Sequence, residues 1–142
     1  MVWFQRLILF ATFLTLCVVV FGAYVRLTDA GLGCPDWPGC FGTLTVPESE
    51  VAIIEAQSLY PESIVEVGKA WREMIHRYLA GILGLLILLI SFVSYKIRHD
   101  LKVKIILPFF ILALVMFQAT LGMWTVTMLL KPAIVTAHLM GG

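Results

Sequence analysis

Long apolar runs separated by shorter polar segments form the pattern of this chain. Residues 7–25 contain no charged side chain, the run after Tyr78 has none until Lys96, and residues 105–127 are again uncharged. A helix needs roughly 20 apolar residues to cross the hydrocarbon core of a bilayer. The pattern therefore predicts three membrane-spanning helices, at about 7–27, 71–95 and 105–127.

A fourth helix is predicted after Lys131, because Pro132 suits the first turn of a helix. Only the 11 residues 132–142 remain for it, about half of a span. Unpaired backbone in hydrocarbon costs several kcal/mol per group, so we expect a fragment that stops inside its fourth helix and carries an incomplete site. The predicted fold is an all-α, polytopic transmembrane helical bundle.

The first run has an alternative interpretation as a signal peptide, since its N-terminal region is short and Gly22 and Ala23 are small. Its 19 uncharged residues exceed the roughly 7–15 of such a segment, so a retained helix is favoured. No Arg- and Ser-rich transit peptide precedes it, which argues against a mitochondrial precursor and favours a bacterial plasma membrane.

Composition indicates a membrane protein, and charge predicts its orientation. The chain is 61% hydrophobic and 13% charged, with a mean hydropathy of +0.97, whereas soluble domains average about 25% charged residues. The sequence has no basic tract of the kind that nucleic-acid binding needs. Residues 96–104 carry four Lys or Arg residues, so the positive-inside rule places this loop and the N-terminus in the cytoplasm. The acidic segment 28–70 then lies outside.

This outer segment begins with a Gly- and Pro-rich stretch, 30–42, that predicts turns, and the stretch 48–60 predicts a short surface helix. Cys34 and Cys40 lie in the turn-rich part, and an oxidising compartment favours a disulfide between them, either structural or redox-active. Their spacing matches neither a C-x-x-C motif nor a zinc site. Cys17, inside the first apolar run, is interpreted as a packing residue.

Candidate chemistry begins where the second predicted helix enters the membrane. Glu73 and His76 are three residues apart, and Arg72 and His76 four apart, so on a helix they share one side. A charge inside a membrane costs roughly 2.5–3.5 kcal/mol, so a cluster there indicates a functional site. In the alternative interpretation, Arg72, Glu73 and Arg77 only reach out to the lipid headgroups.

Depth links this cluster to the last segment. His76 and His138 each lie about six residues inside a helix that enters from outside, which puts both imidazoles roughly 9 Å below the outer surface. Two histidines at matched depth on neighbouring helices favour axial ligation of a haem, and Arg26, Arg72 and Arg77 suit its propionates. The alternatives are a histidine that hydrogen-bonds in a helix interface, or zinc, which needs more ligands than this layer offers.

Gln118 and Gly122 share one face of the third predicted helix. We expect both to pack against a neighbouring helix, Gln118 through a hydrogen bond and Gly122 by close approach of the backbones.

Three motifs resemble one known family. Residues 22–40 (GAYVRLTDAGLGCPDWPGC), the Glu73-x-x-His76-Arg77 motif and the Thr136-Ala137-His138 segment are similar, in this order, to signatures of the haem A synthases. The resemblance covers the whole chain, and the combination of motifs is specific.

The resemblance implies a fold and a reaction. Haem A synthases have eight transmembrane helices in two similar four-helix halves, and they oxidise a methyl group of haem O to a formyl group through a hydroxymethyl stage. The chain resembles the N-terminal half, cut inside its fourth helix, with haem b expected in the other half. His76 and His138 would be the axial ligands of the haem O or haem A iron, Glu73 the carboxylate beside it, and Cys34 and Cys40 the outer disulfide.

We therefore expect a haem A synthase in which Arg26 and Arg77 help to bind haem and Glu73 handles protons or stabilises positive charge. Expected partners are the bilayer and haem O, with haem O synthase and an electron donor as candidates. The alternatives are a bis-histidine membrane cytochrome b, a quinone-linked thiol oxidoreductase that uses Cys34 and Cys40, and a haem-binding or scaffold fragment without catalysis.

Overall fold

The computed structural model describes residues 2–101 and 105–142, so residues 102–104 of the predicted cytoplasmic loop lie outside the described residues. The regular elements of this part of the chain are helices: α1 (Val2–Leu27), α2 (Glu50–Leu59), α3 (Val67–Lys96), α4 (Arg98–Leu101), α5 (Ile106–Thr127) and α6 (Pro132–Gly141). The predicted all-α fold is confirmed.

Three of these helices are long and apolar enough to cross a membrane: α1, α3 and α5. Large apolar side chains on them are exposed in the structure, among them Leu9, Leu85 and Phe110, which is the surface that lipid covers in a spanning helix. The chain is therefore a multi-pass membrane protein. The shorter helix α6 is also apolar, and it starts with Pro132 in its first turn, as predicted.

The four apolar helices pack against one another in chain order. Helix α1 packs on α3, α3 on α5, and α5 on α6. Val18 of α1 and Leu83 and Ile87 of α3 form the buried contact between the first two. The end of α6 returns towards α1, because a Cβ added at Gly142 would lie 3.9 Å from Val19 Cγ2. The four apolar helices therefore surround a common interior.

Residues 28–66, here called the outer cap, fold into a small structure over the start of α3. A buried cluster joins the cap to this helix; its members are Cys34, Cys40, Phe41, Val46, Ala56, Ala70 and Met74. The predicted turns at 30–42 and the predicted surface helix, α2, are both present. The Ser49 hydroxyl caps α2 by accepting a hydrogen bond from the Ala52 amide.

Candidate functional site

His76 lies on the part of α3 that packs against α1, with its ring directly over Gly22. A Cβ added at Gly22 would come 2.8 Å from His76 Cε1 and 3.2 Å from Nε2. Non-bonded carbon atoms are normally about 3.5–4.0 Å apart. Because Gly22 has no side chain, the imidazole fits into space that the Cβ of any other residue would take up.

His138 packs in the same way between α5 and α6, and we call the space over each glycine the seat of its histidine. Its ring, on α6, lies over Gly122 of α5, where an added Cβ would come 3.2 Å from Cε1 and 3.6 Å from Nε2. The close neighbour of Gly122 is therefore a side chain, that of His138, whereas the sequence predicted close approach of a second backbone.

His76 on α3 thus lies against α1, and His138 on α6 lies against α5. Within residues 2–101 and 105–142, Nδ1 of His76 and Nδ1 of His138 are buried without a hydrogen-bond partner. A buried polar atom without a partner costs about 1–3 kcal/mol. Two of them on neighbouring rings, which we call the histidine pair, indicate a place prepared for a ligand.

Glu73 lies one turn before His76 on α3 and is 4% exposed. Its Oε1 accepts a hydrogen bond from Arg77 Nη2 at 2.5 Å, and its Oε2 accepts one from the Cys34 backbone amide at 3.0 Å. Both oxygens are therefore engaged, and the carboxylate joins α3 to the outer cap.

Arg77 is turned towards the same loop. Besides Glu73, its guanidinium donates to the carbonyls of Asp36 at 2.9 Å, Pro38 at 3.3 Å and Gly39. A guanidinium has five donors in a rigid fork, which suits several acceptors at once. Its contact with a haem propionate stays a prediction.

The loop that Arg77 holds is closed by the predicted disulfide, Cys34–Cys40, and both cysteines are fully buried. Inside it, Asp36 Oδ1 accepts a hydrogen bond from the Phe41 amide at 2.6 Å and Oδ2 accepts one from the Gly42 amide at 2.9 Å. The polar groups of this loop are thus paired with one another and with α3.

The other two arginines of the predicted site lie elsewhere. Arg26 follows Gly22 by one turn of α1; it is 3.6 Å from Asp29, and its side chain is 50% exposed. Arg72 donates from Nε to the Gly68 carbonyl at 3.0 Å, within its own helix. Arg26 therefore shares a helix face with the seat of His76, whereas the ion pair of Glu73 is with Arg77.

The predicted interhelical hydrogen bond of Gln118 is wrong. Both side-chain amide atoms are buried without a partner in the described part of the chain. The nearest part of α6 is Gly141, where an added Cβ would collide with the amide. Glycine has no side chain, so at this position α6 offers Gln118 no side-chain partner.

Sequence reasoning missed that Gly22 and Gly122 seat the two imidazoles. One signal was present: each glycine lies five residues before the end of its helix, at Leu27 in α1 and Thr127 in α5. Both therefore lie about as deep as the histidines of the helices that follow them, roughly 7–8 Å along the axis.

The residues fit a haem better than a bare metal ion. Among the described residues, no group of three or more His, Cys, Asp or Glu side chains is placed to hold a metal. Haem iron is already held by its macrocycle and needs only axial ligands from the protein. Two unpaired imidazoles from α3 and α6 are such a donor set.

Comparison with known proteins gives relatives along nearly the whole chain. The sequence model of the COX15-CtaA family, described as cytochrome oxidase assembly protein, matches residues 5–142. The heme A synthase of Shewanella oneidensis is 56% identical over 128 residues, which cover 90% of this chain and 38% of that protein. The heme A synthase of Exiguobacterium sibiricum is 33% identical over 70% of this chain and 29% of its own.

A third relative, the heme A synthase of an Exiguobacterium species, is 30% identical over 94% of this chain and 40% of its own length. The chain thus spans two fifths or less of the curated relatives described here. No solved structure matches it.

Proposed function

Because the chain belongs to the COX15-CtaA family of cytochrome oxidase assembly proteins, we propose that it forms the haem O site of a haem A synthase. In that reaction a ring methyl group of haem O is oxidised to the formyl group of haem A, which terminal oxidases use. The histidine pair is the observation that carries this proposal.

His76 and His138 would hold the haem iron. The support is that their rings come from different helices and that, within the described residues, both Nδ1 atoms are buried without hydrogen-bond partners. When bound, haem supplies redox-active iron. The apolar helices around it exclude water and fix the ring.

Arg26 is the proposed partner of a propionate, together with Arg77. Arg26 is half exposed, forms an ion pair with the exposed Asp29, and lies one turn outward from Gly22. A surface ion pair of this kind is worth only about 0–1 kcal/mol, so a haem carboxylate can displace Asp29 at little cost. Arg77, which follows His76 in the sequence, would take part while still bound to the outer cap.

Glu73 is proposed to accept or hold protons that leave the methyl group as it is oxidised. It is the buried carboxylate nearest in sequence to His76, on the same side of α3. The competing role is structural, through Arg77 and Cys34. A Glu73→Gln variant keeps a hydrogen-bonding side chain of the same shape, so we expect it to bind haem but to make haem A much more slowly; a normal rate would leave Glu73 with the structural role alone.

The proposed location is the bacterial plasma membrane, with the N-terminus in the cytoplasm and the outer cap outside. The basic segment 96–104 supports this orientation through the positive-inside rule. The Cys34–Cys40 disulfide supports it independently, because disulfides persist in oxidising compartments. In the proposed whole protein, a second four-helix half holds haem b, and haem O synthase and an electron donor are its partners.

The test is to purify the protein at its native length from cells that make haem O, and to identify the extracted haem by mass. We expect haem O and haem A, together with a six-coordinate low-spin spectrum that is lost from this site in His76→Ala and in His138→Ala. His99→Ala is the matched control, because His99 lies exposed outside the bundle. Haem b alone, unchanged by either bundle substitution, would contradict the proposal and favour a membrane cytochrome b.

A further inference from the structure

We propose that Gly22 and Gly122 are positioning residues of the haem site, each setting the orientation of one axial imidazole. The inference rests on the proposed haem site, and it assigns these glycines a role in ligation that goes beyond helix packing. Each acts through its histidine: Gly22 through His76 and Gly122 through His138.

A hydrogen bond at Nδ1 does not orient either imidazole. Nδ1 of both His76 and His138 is buried and has no hydrogen-bond partner among the described residues. Packing contacts therefore contribute to the rotation of each ring.

The two glycine seats supply close contacts to the imidazole rings. At Gly22 an added Cβ would meet three atoms of the His76 ring, Cε1 at 2.8 Å, Nε2 at 3.2 Å and Nδ1 at 3.4 Å. At Gly122 the same atoms of His138 would lie at 3.2, 3.6 and 3.9 Å. In both cases the ring rests with its Cε1 edge against the helix backbone, so the two seats have the same construction.

Two other glycines of the bundle show no such contact. Gly81 and Gly84 lie in the apolar helix α3, and a Cβ added at either would meet nothing within 4 Å. Glycine in a helix costs roughly 1 kcal/mol relative to alanine. At Gly81 and Gly84 alanine is thus accommodated without displacing any side chain, whereas at Gly22 and Gly122 it would press on an imidazole.

The two seats also lie at the same distance from the ends of their helices. Gly22 and Gly122 are each five residues from the outer end of their helix, and they belong to the packed pairs α1–α3 and α5–α6. Two rings that bind the same iron must reach one level from two sides. Matched seats on α1 and α5 provide that level.

The distances also predict an order of effects. Alanine at Gly22 places Cβ well inside the contact distance of His76, so the ring must move. Alanine at Gly122 requires a smaller displacement of His138. Substituting groups that orient metal ligands typically lowers affinity about 10–100-fold, and we expect Gly22→Ala to fall in this range, with a smaller loss for Gly122→Ala.

The experiment uses the protein at its native length, loaded with haem in the membrane, and compares Gly22→Ala and Gly122→Ala with Gly81→Ala and Gly84→Ala as matched controls. Haem occupancy and the electron paramagnetic resonance g-values of the low-spin ferric haem are measured, because the g-values report the orientation of the imidazole planes. We expect both signals to change in Gly22→Ala, to change less in Gly122→Ala, and to stay as in the wild type in the two controls.

Wild-type occupancy and g-values in Gly22→Ala would overturn the inference. If that variant does not accumulate in the membrane, Gly122→Ala decides by the same two readings, since its Cβ is better tolerated. His76→Ala and His138→Ala test the proposed haem site separately. If these variants lose the signal while the glycine variants keep it, only the positioning role of the glycines is overturned. An unchanged signal in the histidine variants removes the proposed haem site and this inference with it.

Discussion

The outer cap and the histidine pair are built on opposite principles, although both meet on α3. In the cap, buried polar groups have partners: Glu73 binds Arg77 and the Cys34 amide, and Asp36 binds two further amides. One turn deeper, Nδ1 of His76 is buried, and neither it nor Nδ1 of His138 has a partner in the part of the chain that the structure describes. The polar groups of the cap are thus paired with one another, whereas those of the histidine pair are left for a ligand.

The difference lies in how the buried polar groups are paired: Glu73 and Arg77, although also proposed for the haem reaction, have partners within the fold, whereas Nδ1 of each member of the histidine pair has none among the described residues. Glu73 and His76 are neighbours in sequence, and a motif search treats them as one site. Their surroundings differ, because Glu73 faces the disulfide loop and His76 faces Gly22 of α1. Substitutions in the cap should therefore change stability, and substitutions at the histidine pair should change haem binding.

The largest expected effect on stability comes from removing one partner of the ion pair between Arg77 and Glu73. Their side chains are 11% and 6% exposed, and breaking a buried pair from one side typically costs about 3–5 kcal/mol. Arg77→Ala should lower the free energy of opening of the outer cap by about this amount, measured by hydrogen exchange of the cap amides. Arg72→Ala is the control, because Arg72 makes a single hydrogen bond within its own helix.

A double variant sharpens this prediction. Removing Glu73 together with Arg77 leaves no buried charge without a partner, so the double substitution should cost less than the sum of the two single ones. Additive costs would contradict the view that the pair acts as a unit.

A smaller effect is expected from the disulfide. Cys34 and Cys40 are six positions apart, and closing so short a loop stabilises a protein by roughly 2 kcal/mol in the chain-entropy description. Replacing both cysteines by alanine should lower the midpoint of thermal unfolding in detergent but leave the haem spectrum and haem A synthesis in place. Complete loss of synthesis in a folded double variant would instead assign the pair a redox role.

The smallest effect on stability is expected for one glutamine in each region, and its sign should differ between the two. Gln118 in the bundle has no partner, whereas Gln57 in the cap donates to the Ser63 carbonyl at 2.7 Å and accepts from the Val65 amide at 3.4 Å. Gln118→Leu should raise thermal stability by about 1 kcal/mol, because an unpaired buried amide is removed. Gln57→Leu should lower it by a similar amount, and a loss of stability in both variants would break the comparison.

Much of the fold could be predicted from the sequence because apolar runs and charged loops act locally. The uncharged runs became α1, α3 and α5, and Pro132 opens α6 as expected. The disulfide was predictable because Cys34 and Cys40 share one turn-rich loop. These features depend on residues close together in the chain.

The unpredicted features all depend on contacts between distant residues. Arg77 binds carbonyls about 40 positions earlier, because the cap folds back over the start of α3. The missing partner of Gln118 depends on a glycine in the next helix, and the seat of His76 depends on Gly22 in the previous one. Side-chain direction in these contacts is set by helix packing, which no local motif records.

The most direct test of the account is near-infrared magnetic circular dichroism of the ferric protein at its native length, because the position of this signal identifies the two axial ligands of low-spin haem. We predict that a histidine–methionine signal appears and the bis-imidazole signal weakens in both His76→Met and His138→Met, with His99→Met unchanged; the proposed haem b contributes the same signal to every variant. A spectrum identical to that of the wild type in both bundle variants would contradict the central claim, because the histidine pair would then not bind a haem.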